Sequence, residues 1–318
     1  MIKIKKAFSL IEVIFVLVIL GIVASISSQI IVQVYENYII QKALYATTTK
    51  TEIAINQIVN RLTFLIDGTT ISKDPLSTIA YTKASENINW IALKDLDITL
   101  PNFKRFTTIE WIGYDNDSFS VAQVPYWSGL ANYDGSAISK AVFETPGSRL
   151  DLANTIISNL SNNKVNLTGA NLPAVIFTGV NYLDTNPPIE YNPACMGLID
   201  KNNTNCISRV SMNDNTHFNF PDAKPKSIYE RYKLAWSAYA LVPEESVTTG
   251  LFNLNLYYNY QPWNHETYKD GSKSLLINNV SVLKFTENGG VIQLKLCVTE
   301  NIGKDYNISS CKEKAIIR

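Results

Sequence analysis

The chain has 318 residues, and its lysine plus arginine total equals its aspartate plus glutamate total at 28 each. This balance gives no support to general nucleic-acid binding, which needs a basic surface. The 2 histidines are too few for a histidine-rich metal centre, and the sequence carries no familiar catalytic or nucleotide-binding motif. We therefore expect neither an enzyme nor a bound metal or cofactor.

The chain opens with a short basic stretch, residues 1–7, that ends in Ala7. An apolar run follows over residues 8–32, and Glu12 is its only charged residue. An ordinary secretory signal is cut after its apolar run, whereas here the small residue precedes the run. Residues 8–32 would form about 37 Å of helix, which exceeds the ~30 Å core of a bilayer. The sequence therefore predicts a retained membrane-spanning segment.

The order Phe-Ser-Leu-Ile-Glu at residues 8–12, after a basic leader, resembles the class III signal of type IV pilins and type II secretion pseudopilins. Ala7 stands where this family usually has glycine. The resemblance implies that a prepilin peptidase cuts between Ala7 and Phe8 and methylates the new amino group of Phe8. It also implies that Glu12 neutralises that amine, in its own or a neighbouring subunit, and so sets the register of assembly. A plain membrane anchor is the alternative, but it leaves this residue order unexplained.

The helical pattern continues beyond the membrane segment. Apolar residues recur at steps of three and four between residues 55 and 66, and the Asp-Gly pair at residues 67 and 68 is a good helix stop. We predict one helix from Phe8 to about Asp67, with a transmembrane half over residues 8–32 and an amphipathic half over residues 33–67. By resemblance this helix is the spine of a pilin, and a generic anchor with a stalk is the alternative.

Residues 68–318 show β patterns and are predicted to form an extracytoplasmic head, within which residues 151–225, rich in asparagine and proline, form a loop-rich insertion. The fold class is therefore α+β, a pilin-like spine helix packed on an antiparallel β-sheet head. The predicted strands cover residues 88–93, 106–111, 119–124, 232–241, 251–260, 274–285 and 291–298, with residues 314–318 pairing back on the last.

All four cysteines lie beyond the membrane segment. Cys195 and Cys206 are close in sequence, and so are Cys297 and Cys311. In an extracytoplasmic chain, two sequence-local disulfides are the favoured interpretation among the three pairings that four cysteines allow. A zinc site is the alternative, but no C-x2-C spacing occurs and neither histidine lies near a pair at finger-like spacing.

Two features concern the surface of the head. Asn202 and Asn307 both fit the acidic-x-Asn-x-Ser/Thr pattern of bacterial N-glycosylation, each inside one predicted disulfide loop. Two unmodified, solvated loop tips are the alternative. Residues 257–268 hold several tyrosines and a tryptophan, which indicate either a binding surface or, as we favour, aromatic residues that cover the sheet.

By resemblance we expect a minor pilin or pseudopilin, a structural subunit that initiates or caps a type II secretion pseudopilus or type IV pilus at its tip. Its C-terminal strands resemble those of J-type minor pseudopilins and W-type minor pilins. A tip adhesin or DNA-uptake receptor on the same scaffold is the alternative, and only the latter would bind nucleic acid. The expected partners are the prepilin peptidase, other pilins or pseudopilins through their spine helices, and the inner-membrane assembly platform. The expected location is the bacterial inner membrane, crossed once with the N-terminus cytoplasmic and the head outside, and then the filament tip.

Overall fold

A computed structural model describes residues 9–74, 90–96, 106–120, 125–132, 141–178, 193–222, 228–245, 250–302 and 306–317. The predicted α+β class is confirmed, because a long N-terminal helix, α1 (Leu10–Thr63), is followed by an antiparallel β-sheet head. The predicted leader and the processing residues Ala7 and Phe8 lie outside the described residues.

The head contains two further α-helices and fourteen strands within the described ranges. The helices are α2 (Asn116–Ser120) and α3 (Leu150–Leu160). The strands are β1 (Ile71–Lys73), β2 (Trp90–Ala92), β3 (Thr108–Gly113), β4 (Val142–Glu144), β5 (Ala174–Thr178), β6 (Ser208–Arg209), β7 (Ser211–Asp214), β8 (His217–Asn219), β9 (Arg231–Ala235), β10 (Ser237–Glu245), β11 (Phe252–Tyr260), β12 (Ser272–Asn288), β13 (Val291–Ile302) and β14 (Tyr306–Ile317).

One large sheet organises the head. It has 8 strands in the order β14-β13-β12-β11-β10-β3-β1-β2, and every neighbouring pair is antiparallel. Strands β10 to β14 are adjacent both in sequence and in the sheet, as expected for successive hairpins. The turn between β12 and β13 uses Gly289 and Gly290, which both have positive φ, a conformation that glycine adopts without steric cost. Two small sheets, β4-β8-β7 and β6-β5-β9, complete the head.

The C-terminal part of α1 packs on one face of the large sheet, mainly against β12, β13 and β14. Its buried apolar residues recur at helical spacing and meet side chains such as Trp111 and Leu241 from the sheet. We call this cluster the spine core. Its helical members are Ala54, Ile55, Ile58 and Leu62.

The opposite face of the large sheet is also covered. Strand residues alternate between the two faces, so Trp111 enters the spine core while its neighbour Ile112 enters a second cluster. This second cluster, the loop core, contains Met196 and Leu198 from the segment between Cys195 and Cys206, together with Trp263. The first cysteine pair therefore belongs to a layer that lies across the sheet from α1.

A third cluster is strongly aromatic. Phe143 lies at its centre, with its ring centroid 5.4 Å from that of Phe218 and 5.6 Å from that of Tyr232. Helix α3 packs here through Leu150, Ala153 and Ile157. The segment 151–225, predicted as a loop-rich insertion, contributes most of α3 and the strands β5 to β8 to the head.

Three local expectations differ from the structure. Helix α1 ends at Thr63 rather than near Asp67, because Leu65 bridges Gly113 and the amide of Ile66 donates to the carbonyl of Ile112 at 2.9 Å. Sheet pairing here outcompetes another helical turn.

The strand predicted over residues 119–124 is wrong at Phe119, which lies in α2; residues 121–124 fall outside the described ranges. The carboxylate of Asp115 accepts the amide of Ser118 at 3.2 Å, a local side-chain bond that favours a helical turn. The single strand predicted over residues 232–241 is divided at Trp236 into β9 and β10, which belong to different sheets.

Candidate assembly site on the N-terminal helix

The first part of α1 exposes an apolar surface that no other described residue of the chain covers. Side chains from Leu10 to Tyr38 are exposed, including Leu10 at 81% and Phe15 at 68%. Burial begins only around Ile39 and becomes complete at Thr47. Within the described residues, α1 is the one helix long and apolar enough to cross a membrane. Such a surface is stable only in lipid or against other apolar helices.

Glu12 lies in the first turn of this apolar surface. Ser9 caps the helix: the amide of Glu12 donates to Ser9 Oγ at 3.3 Å, and the amide of Ser9 donates to Glu12 Oε2 at 3.1 Å. This reciprocal pair is a capping box, and it holds the carboxylate at the N-terminal end of the helix, where the dipole favours negative charge. The Ser-x-x-Glu spacing of residues 9–12 is its sequence signature, so sequence analysis alone could have assigned this role to Ser9.

The capping box does not neutralise the charge of Glu12. One backbone N–H compensates only part of the cost of placing a carboxylate in an apolar medium. A cation nearby would lower the remaining cost if this turn enters lipid. The amino group predicted for a mature chain beginning at Phe8 would be such a cation, and its pairing with Glu12 stays a prediction because Phe8 lies outside the described residues.

The other end of α1 is tied to the last strand. Glu52 lies 2.9 Å from Lys314 Nζ and 3.3 Å from Lys312 Nζ, both on β14. Hydrogen bonds from Lys314 and then Lys312 lower the pKa of Glu52 below its ordinary value. The spine therefore contacts β14 through both apolar packing and ion pairs.

The four cysteines form two sequence-local pairs in the structure. Cys195 pairs with Cys206 at a Cα–Cα distance of 5.3 Å, and the amide of Cys206 donates to the carbonyl of Cys195 at 3.0 Å. Cys297 and Cys311 face each other in the register of β13 and β14, at a Cα–Cα distance of 4.0 Å. The second pair therefore links the two strands on which α1 rests.

A buried polar cluster connects the sheet to the first disulfide loop. Glu110 on β3 is only 1% exposed and pairs with Lys73 Nζ at 2.5 Å, while Tyr260 donates to its other oxygen at 2.8 Å. Lys73 also donates to the carbonyl of Leu198 at 2.7 Å. Burial, followed by the adjacent Glu110, raises the pKa of Tyr260 well above its ordinary value. Sequence analysis missed this cluster because its members are far apart in the chain.

The aromatic residues of segment 257–268 mostly cover the sheet. Tyr260 and Trp263 are buried in the loop core, and Trp263 Nε1 donates to the carbonyl of Leu172 at 3.0 Å. Tyr257 packs edge-on against Tyr268 with ring centroids 5.1 Å apart. This arrangement agrees with the aromatic cover that we favoured over a binding surface.

The two candidate glycosylation residues occupy different environments. Asn202 is exposed in a turn of the first disulfide loop, and Asn307 is exposed on β14. In the described parts of the chain, no group of three or more His, Cys, Asp or Glu residues is arranged to hold a metal ion.

Residues 2–28 match the family described as the prokaryotic N-terminal methylation motif. This match includes Ala7, Phe8 and Glu12 and ends within the exposed apolar part of α1. No curated protein and no solved structure matches the chain.

Proposed function

We propose that this chain, which carries the class III prepilin signal of the type IV pilin and pseudopilin family, is a minor subunit that initiates or caps a pseudopilus or pilus at its tip. One observation carries the proposal. The N-terminal methylation motif continues into a helix whose first part is apolar, exposed and covered by no other described residue, while the rest packs on a folded head.

The chain is a pilin-type, membrane-anchored subunit, and its signal implies processing by a prepilin peptidase and assembly with other pilins. In the proposed mechanism, the peptidase cuts between Ala7 and Phe8. Apolar spine helices of several subunits then pack together, and the charge of Glu12 makes any misaligned packing costly because it would leave a carboxylate unpaired in an apolar medium. The inner-membrane assembly platform would extract the helix, whose N-terminus faces the cytoplasm.

The layered head supports a place at the tip. The loop core and the aromatic cluster add two packed regions beyond the spine core and the large sheet. A subunit at the tip has no next layer above it, so such a head meets fewer steric limits there than within a shaft. The burial of Tyr260 and Trp263 reduces the aromatic surface that a receptor could use, which favours the assembly role over the alternative of an adhesin or DNA-uptake receptor.

Processing is tested by intact-mass analysis of the full chain recovered from membranes that contain a prepilin peptidase. We expect a mature chain that begins with N-methylated Phe8. Ala7→Gly should be cut at least as well, and the bulky Ala7→Leu should not be cut. A mature chain that begins at Met1, or after the apolar run, would refute the signal assignment.

The tip role is tested separately by gold labelling of an epitope appended after Arg318 in isolated filaments. Labels at one filament end only would support the proposal. Labels distributed along the shaft would refute the tip role while leaving the pilin-type assignment intact.

A further inference from the structure

The segment between Cys195 and Cys206 is a folded loop with an exposed tip. Met196 and Leu198 anchor its first half in the loop core, and the amide of Gly197 donates to the carbonyl of Asn203 at 2.9 Å. Lys201 and Asn202 at the tip are exposed. The loop therefore presents the tip in a fixed position, with both ends held by the cysteine pair.

The tip carries the elements of an acidic acceptor sequence, Asp-Lys-Asn-Asn-Thr at residues 200–204. The side chain of Asp200 accepts the amide of Asn202 at 2.9 Å, so the acidic residue and the acceptor lie in one turn. The side chains of the neighbouring Asn203 and Asn205 bond to each other, because Asn205 Nδ2 donates to Asn203 Oδ1 at 3.1 Å. Asn202 is exposed, and among the described residues its side-chain amide has no such partner.

Asn307 offers the same short motif in a different setting. It lies on β14, opposite Asn301 of β13, in a ladder that runs continuously from Tyr306 to Ile317. A transferase must take several residues of acceptor backbone into its own cleft, and a paired strand would first have to leave the sheet. The turn at Asn202 belongs to no strand ladder: it is closed within the loop by bonds such as that from the amide of Asn203 to the carbonyl of Asp200 at 2.9 Å, and His265 Nδ1 contacts the carbonyl of Lys201.

The position of the loop is compatible with assembly. The loop core lies on the sheet face opposite α1, since Ile112 and Trp111 point to opposite sides of β3. A bulky, hydrated group on Asn202 would therefore leave the spine surface clear.

We propose that Asn202, and not Asn307, is an acceptor for an N-linked glycan. The donor is a polyprenyl-diphosphate-linked oligosaccharide. The Asn202 amide nitrogen forms a bond to the anomeric carbon and loses a proton, while the bond from that carbon to the diphosphate oxygen breaks and the lipid diphosphate leaves. The proposal depends on the proposed function, because the head must be exported to meet the donor.

The test is co-expression of the full chain with a bacterial oligosaccharyltransferase that accepts acidic acceptor sequences, together with its lipid-linked donor. A flexible acceptor sequence, Asp-Gln-Asn-Ala-Thr, is appended after Arg318 as an internal control for export. Glycopeptide mass spectrometry then reports occupancy at each site. The variants are Asn202→Gln, Asn307→Gln, Thr204→Ala and the matched Thr204→Ser.

We expect glycan at Asn202 and at the appended sequence. Occupancy at Asn202 should be lost in Asn202→Gln and Thr204→Ala and retained in Thr204→Ser and Asn307→Gln. Modification of the appended sequence with Asn202 unmodified, or with Asn307 modified in its place, overturns the proposal but not the export. Absence of glycan at both Asn202 and the appended sequence contradicts the export of the head, and with it both proposals.

Discussion

The two parts of α1 differ although they belong to one continuous helix. From Leu10 to Tyr38 the helix exposes its apolar side chains, whereas from Thr47 to Leu62 it buries a single stripe in the spine core. Burying a side chain such as Ile58 stabilises a fold by ~1.5–3 kcal/mol, so the second part contributes directly to the stability of the head. The first part contributes nothing comparable within the chain. One helix therefore serves two separable roles, which are folding of the head and association outside it.

The largest expected effect comes from the stripe itself. Ile58→Ala removes buried apolar contacts and leaves a cavity, which should lower the free energy of unfolding by ~2–5 kcal/mol. Ile53→Ala on the same helix is the matched control, because Ile53 is 54% exposed and should change stability by well under ~1 kcal/mol. Chemical denaturation of the chain in detergent measures both. Equal effects of the two variants would show that the second part of α1 does not pack as described.

The second disulfide strengthens the surface on which that stripe rests. Replacing both Cys297 and Cys311 by serine should destabilise the head by ~2–4 kcal/mol, because the cross-link restricts the unfolded chain. Non-reducing peptide mapping first establishes the bridge. A bridge between Cys195 and Cys297, or free thiols in exported protein, would contradict the local pairing.

A buried carboxylate, Asp115, makes the stability of the head depend on pH. Burial raises the pKa of Asp115 to about 6, only partly opposed by hydrogen bonds from Ser118. Because this pKa is raised on folding, its stabilising contribution is complete below about pH 4 and is lost as the pH rises through about 6. The free energy of unfolding therefore loses about 3 kcal/mol, at ~1.4 kcal/mol for each unit by which folding raises this pKa.

Asp115→Asn should remove this pH dependence, because an asparagine side chain does not titrate between pH 4 and pH 8. Its amide oxygen can still accept the hydrogen bond from the amide of Ser118, so the local structure should be kept. The unfolding free energy of the unaltered chain minus that of the variant should fall by about 3 kcal/mol between pH 4 and pH 8. Asp117→Asn, at the exposed neighbouring residue, is the control and should retain most of the slope, because the charge of Asp117 raises the pKa of Asp115 less than burial does. Identical slopes in the unaltered chain and Asp115→Asn would refute this explanation.

The smallest effect is expected at the ion pairs between α1 and β14. Glu52→Gln removes the pairing with Lys312 and Lys314, but these groups are partly exposed and solvent screens them. The loss of stability should be slight in low salt and vanish in high salt. A large, salt-independent loss would mean that Glu52 contributes through packing instead.

Local patterns predicted the elements that are regular over many residues. The steps of three and four in α1 and the alternation in β13 are visible in sequence because each element satisfies its own periodicity. The structure of the insertion was harder to predict from sequence. Its strand β5 pairs with β9, for example at Val175 and Leu234, and no local pattern in the sequence specifies β9 as the partner of β5. The end of α1 was misplaced for the same reason, because Leu65 pairs with Gly113 in a distant segment.

In the candidate site, too, local motifs could be predicted from sequence and long-range contacts could not. The role of residues 8–12 could be predicted because their order and their position at the start of the apolar run form a short continuous motif. The Glu110–Tyr260 hydrogen bond could not be predicted from sequence, because it joins residues on β3 and β11 that approach each other only in the folded sheet.

We propose that the first part of α1 serves assembly and that Glu12 sets its register. The direct measurement compares Glu12→Ala with Glu36→Ala, an exposed acid on the same helix, by quantifying each subunit in membranes and in sheared filaments or crosslinked pseudopilus complexes. We expect normal membrane amounts for both and a fall of about tenfold in assembled Glu12→Ala, the factor that a loss of ~1.4 kcal/mol produces. Normal assembly of Glu12→Ala at normal membrane levels would contradict the account.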